Sequence, residues 1–153
     1  MNFSHSYNHH NGVTEWEGRE LNDWLTDIFE APQIKLREGC TKDIRAHVRL
    51  ELEKEALAIN VRIDQGLGLS VFAMKDDLAI HLQTGNMSRA PYDLLKLQHL
   101  YQSNRIKAAA LAVPTKVAAQ KLGSNVAYAE RIQNELQLFQ HIITVPIMLV
   151  AFE

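Results

Sequence analysis

Apolar residues recur at helical spacing twice in the first third of the chain. Between positions 16 and 30, Leu21, Trp24, Leu25 and Ile28 fall three or four apart and the pattern stops before Pro32, which predicts a helix. Between positions 41 and 55, Ile44, Val48 and Leu52 mark the inner face of a second helix, with Thr41 as candidate N-cap. The period then shortens to two. LAINVRI (57–63), LSVFAM (69–74) and LAIHLQ (78–83) read as strands, the first broken from the second at Gly66 and Gly68 and the second turned into the third at Lys75-Asp76-Asp77. Together they predict a three-strand meander.

Helical spacing returns at 91–103, where Pro91 suits a first turn and Leu94, Leu97, Leu100 and Tyr101 form the stripe. AAALAV (108–113) is a continuous apolar run, as expected of a strand covered on both faces. Thr115 is placed to cap a short helix that Gly123 ends. Ser124 or Asn125 starts another, with Tyr128, Ile132, Leu136 and Phe139 inward, and TVPIMLVAF (144–152) closes the chain as a second buried strand. The order α-α-β-β-β-α-β-α-α-β predicts an α/β fold: a mixed central sheet, made of a meander plus crossover strands, flanked by helices. Residues 1–153 are expected to form one domain, with the polar stretch 1–12, MNFSHSYNHHNG, as a mobile N-terminus.

Composition narrows the class. Hydrophobic residues at 46% and charged residues at 22% suit a globular chain with a sizeable core rather than a disordered one. Cys40 is the single cysteine, which excludes an internal disulfide and a cysteine-based zinc cluster. No apolar run approaches the roughly 20 residues that span a bilayer, and the N-terminus lacks the apolar core of a secretory signal. No membrane partner and a cytoplasmic location are the expectations. The formal charge of −2 gives no overall basic footprint for nucleic acid. Lys42, Arg45 and Arg49 form a local stripe whose spacing also suits the solvated face of a helix.

One strand carries unusual chemistry. His81 and Gln83 lie two apart, so both point to one face of a strand that helices are expected to cover. They are either a hydrogen-bonded buried pair, groups facing a phosphate or a partner, or part of a metal site. Acids that could join them are Asp64 at the end of the first meander strand and Glu51 and Glu55 on the preceding helix; Asp76 and Asp77 read as turn residues. His5, His9 and His10 form a second polar cluster, in which His9 is also suited to packing or capping.

Four stretches together carry a family likeness: SYNHHNGVTEWEGRELNDWL near the start, VFAMKDDLAIHLQTGN in the meander, SNVAYAERIQNELQLF late in the chain and VPIMLVAF at its end. In these the chain resembles the BglII-type restriction endonucleases, of the PD-(D/E)XK superfamily, over nearly its whole length. The resemblance implies a restriction-endonuclease-like core and a homodimer, since such enzymes cut both strands symmetrically. The family's hairpin carries an Asp and then Glu-x-Gln, whose two carboxylates hold Mg²⁺ for hydrolysis. Matching that Gln to Gln83 puts the Glu position at His81 and the Asp position at Phe72, while Lys75 and Asn86 fit the surrounding pattern. Phe72 has no ligand atom, and His81 is a nitrogen donor suited to zinc or nickel rather than magnesium. The resemblance therefore implies the nuclease fold without its catalytic carboxylates.

The resulting expectation is a catalytically inactive restriction-endonuclease-like protein without a cofactor, DNA-binding or regulatory in role. It would contact double-stranded DNA weakly or non-specifically through Arg45, Arg49, Lys75, Asn86 and Arg89, converging on one concave face. Family enzymes continue past the final core strand into a DNA-recognition extension, which also points to weak recognition here. One alternative is an active Mg²⁺-dependent endonuclease with relocated ligands drawn from Asp64, Glu51 and His81. The other is a protein-interaction module, associating with a protein partner through the helix that bears Leu94, Leu97 and Tyr101.

Overall fold

The computed structural model describes all residues, 1–153. Six strands form one sheet: β1 (Phe3–His9), β2 (Ala58–Asp64), β3 (Leu69–Lys75), β4 (Leu78–Leu82), β5 (Ala108–Pro114) and β6 (Ile147–Phe152). Six helices surround it: α1 (Gly12–Glu17), α2 (Asn22–Asp27), α3 (Thr41–Lys54), α4 (Ala90–Gln102), α5 (Lys116–Leu122) and α6 (Ala129–Leu138). The spatial order is β1-β6-β5-β4-β3-β2. The β2–β3–β4 meander is antiparallel, β4, β5 and β6 run parallel, and β1 returns antiparallel on β6.

The parallel strands show why a continuous apolar run is read correctly as a strand. Every residue of β5 and β6 is buried, and successive residues join opposite layers. Ala108, Ala110, Ala112, Met148, Val150 and Phe152 face the layer built by Trp16, Phe29, Ile44 and Leu52. Ala109, Leu111, Val113, Ile147, Leu149 and Ala151 face the layer of Leu97, Leu100, Ile132 and Leu136. Thus α1, α2 and α3 cover one face and α4 and α6 the other. Both faces are dry, so polar alternation has no place there.

Four expectations are corrected. Residues 1–12 are not a loose terminus, because Phe3–His9 pair with β6 from Phe3↔Phe152 to His9↔Ile147. Polar side chains hid this strand: Ser4, His5, Ser6 and Tyr7 are only half-buried at the sheet edge, while His9 is buried with Nε2 donating to the Ile143 carbonyl at 2.7 Å. The single helix over 16–30 is two short helices, split by a turn in which Glu20 takes φ 58°. Both face one core, so their apolar positions mimic one period. Thr41 is the first helical residue of α3 rather than its cap, and no side chain caps that end. Phe139 follows the end of α6 and is 46% exposed instead of inward. Thr115 does cap α5, accepting from the Ala118 amide at 3.2 Å.

Candidate functional site

The site begins with an irregularity in the sheet. Between β3 and β4 the ladder runs from Lys75↔Leu78 to Ala73↔Ile80 and goes no further. At the same level Asn60 of β2 takes φ 53°, a left-handed conformation that asparagine tolerates better than most residues. The kink changes which layer the strands face. Ile59 packs on the α3 side and Val61 on the α4 side, although residues two apart in a regular strand share a face. Likewise Phe72 and Ala73, adjacent in sequence, both join the α3 layer. Past this point β3 and β4 part, and a cleft of about 550 Å³ opens between them, between α3 and the start of α4.

Parted strands leave backbone groups without ladder partners, and two cations take them. Lys96 Nζ donates to the Ser70 carbonyl of β3 at 3.2 Å, and an Nη of Arg45 donates to the Leu82 carbonyl of β4 at 3.3 Å. The guanidinium carbon of Arg45 also lies 5.0 Å from the centre of the Phe72 ring. Gln83, one residue past β4, continues the parallel ladder with its amide on the Ala112 carbonyl at 2.9 Å, which fixes its side chain beside that of His81.

At the cleft floor is Asp93, in the first turn of α4 and 5% exposed. One carboxylate oxygen accepts from His81 Nε2 at 3.0 Å and Lys96 Nζ at 2.6 Å, and the other accepts from Gln83 Nε2. Gln83 is held in turn by the Gly85 amide, which donates to its Oε1 at 2.6 Å. Burial pushes the Asp93 carboxyl up, but its bonds and charge attraction to His81 and Lys96 outweigh this and hold it below its ordinary value. Burial pulls the Arg45 guanidinium down, with the Asp93 charge opposing. The ring nitrogen Nδ1 of His81 is enclosed without a hydrogen-bond partner.

Of the residues singled out from the sequence, Phe72, His81, Gln83, Arg45, Asn86 and Arg89 all line this one cleft. The expected convergence of five DNA-facing groups is corrected for two. Arg49 turns along α3 to pair with Glu53 at 2.8 Å, and Lys75, at the far end of β3, donates to the Glu55 carbonyl at 2.8 Å. The fallback metal set is not assembled either. Glu51 pairs with Lys54 at 2.7 Å, and Asp64 accepts the Leu67 amide at 2.6 Å in the β2–β3 turn, leaving His81 alone. Nowhere do three His, Cys, Asp or Glu side chains group to hold a metal ion. His81 and Gln83 do not bond each other; both donate to Asp93, which joins them.

Asp93 and Lys96 were missed. The signal was present, because Asp93 shares the buried side of α4 with Ala90, Leu94, Leu97 and Leu100. An acid on an apolar stripe needs a partner, although an acid in a first helical turn also complements the helix dipole.

Magnesium does not fit these residues. It calls for one or two free carboxylates and oxygen donors in octahedral array. Both oxygens of Asp93 are occupied by donors, Phe72 offers no ligand, and the one unpartnered nitrogen is enclosed.

The family model for restriction endonuclease BglII/BglIII matches residues 3–152. The chain belongs to the BglII/BglIII restriction endonuclease family. Among solved structures, restriction endonuclease BglII complexed with a DNA 16-mer superposes with a TM-score of 0.83 at 16% identity, covering 99% of this chain and 76% of that one. Free BglII superposes with a TM-score of 0.75 at 16% identity, over 100% of this chain and 80% of that one. At such identity the likeness is one of fold: the mixed sheet with flanking helices is the BglII core. No curated protein matches the chain. No helix is long and apolar enough to cross a membrane.

Proposed function

We propose that this BglII-family chain is a catalytically inactive member that binds double-stranded DNA through the cleft at the splayed end of β3 and β4. The observation that carries the reading is the state of the cleft's one acid. Hydrolysis of a phosphodiester in this family's manner needs carboxylates that hold a divalent cation. Here Asp93 is closed off by His81, Lys96 and Gln83, and the sequence resemblance places Phe72 and His81 at the family's two carboxylate positions. What lines the cleft instead is cationic and polar: Arg45, Arg89, Lys96, Asn86 and Thr41. BglII itself has been crystallised on DNA, and a phosphate-facing set of this kind suits backbone contact rather than base reading.

The test is fluorescence anisotropy on mixed-sequence duplex across a salt series with Mg²⁺ present, followed by electrophoresis of the same samples. The expected result is binding that weakens steeply with salt while the duplex stays intact. Cleavage would overturn inactivity, and a flat signal at low salt would overturn DNA as the partner.

A second feature favours self-association. Leu95, Phe139 and Ile142 are exposed around an apolar hollow of about 230 Å³ between α4 and the end of α6, with Tyr92 and Leu138 also exposed on these elements. We propose this face as the contact of a homodimer. The helix stripe expected to meet a protein partner is not free to do so: Leu94 and Leu97 are buried, and Tyr101 packs half-buried against the same layer.

A further inference from the structure

The cations of the cleft fall into two kinds. The charge of Lys96 is answered by Asp93 at 2.6 Å. Arg45 and Arg89 are in no ion pair: Arg89 makes no side-chain hydrogen bond, and Arg45 makes one, to the Leu82 carbonyl, feeling Asp93 only at longer range. Beside Arg45 on the cleft wall is Phe72, 5% exposed, whose ring face supports the guanidinium without neutralising it. A guanidinium stacked on one side and tethered at one nitrogen has fixed orientation, and the rest of its fork of donors remains free. That fork matches two oxygens of a phosphate.

We infer that Arg45, with Arg89 from the α4 side, is a standing cation that binds a DNA phosphodiester directly, so that DNA binding by this protein needs no divalent ion. The inference rests on the DNA-binding reading and deepens it by naming the group that meets the phosphate. Phe72 is part of the device. A carboxylate in its place would lie against the guanidinium and cancel the charge the phosphate is to meet.

The experiment compares anisotropy of a short labelled duplex in EDTA and in Mg²⁺ at matched ionic strength. Wild-type affinity is expected to agree within about twofold between the two conditions. R45Q is expected to weaken EDTA binding about tenfold, as for loss of one charge-assisted contact, and to reduce the slope of log affinity against log salt by about 0.9. R45K should recover only part of the loss, and R49Q, whose guanidinium pairs with Glu53 outside the cleft, should bind as wild type. F72D should behave like R45Q; because Phe72 is buried, its melting curve is read alongside, and R45Q carries the test if it unfolds. Binding only in Mg²⁺ would overturn the inference while leaving DNA as the partner. Metal-free binding unchanged by R45Q would overturn the role of Arg45. No binding in either condition would overturn both the inference and the reading beneath it.

Discussion

Asp93 shows how one residue organises the centre of the protein. An ionised carboxylate at 5% exposure is tolerable only because three donors meet it. Asparagine there would keep the shape but leave Lys96, whose side chain is 12% exposed, without its counter-charge. D93N is expected to destabilise the fold by about 3 kcal/mol, read as a lower urea midpoint. The wild-type pH dependence has a definite sign. The folded-state pKa of Asp93 lies below its ordinary value of 3.8, so the stabilisation is complete at neutral pH. It is lost as pH falls from that value through the folded one. Urea midpoints measured from pH 7 downward should drop in that acid window, and D93N should lack that component of the drop. A drop identical in D93N would assign the acid sensitivity to other groups.

Two elements depend on single residues that pattern reading passes over. Gly12 opens α1 directly over β6, where a Cβ would stand 2.0 Å from the Ile147 carbonyl carbon. That neighbour is backbone in a fully buried strand and cannot turn aside. The close approach lets Trp16 reach across to donate its Nε1 to the Ala109 carbonyl at 3.1 Å. G12A is expected to cost about 3 kcal/mol or more, lowering the melting temperature by roughly 6–12 °C for a chain of this size. A melting temperature within about 2 °C of wild type would show that α1 can lift off β6 cheaply. The meander is legible as three strands from its period and its turns, Asp76 taking φ 50° in the β3–β4 turn as an aspartate can. Its splaying is not legible, because one left-handed residue, Asn60, reverses the faces of two strands without altering their composition.

At the scale of the whole molecule, a net charge of −2 leaves no general attraction to DNA, so any binding must be local to the cleft and short-ranged in salt. The other surface feature is apolar: Leu95 at 52%, Phe139 at 46% and Ile142 at 61% exposure border one hollow. L95E is expected to shift sedimentation velocity from dimer to monomer at micromolar concentration while leaving the melting curve of the monomer intact, since Leu95 faces solvent. Wild-type protein that sediments as a monomer at such concentration would remove the dimer.

The sequence by itself determined the strand and helix order from the meander onward, the buried parallel strands, and the absence of a carboxylate at positions 72 and 81, and four stretches of it carried the family resemblance. The order, the buried strands and the missing carboxylates follow from local periodicity and from residue identity, which require no knowledge of neighbours. Only the tertiary structure decided that Phe3–His9 completes the sheet, that Arg49 and Lys75 leave the cleft while Arg45 and Arg89 share it, and that Asp93 is the acid His81 and Gln83 hold. Each of these depends on which groups distant in the chain come within hydrogen-bonding or ion-pairing reach. An edge strand draws its identity from the strand it pairs with, and a buried charge from the partners folded around it.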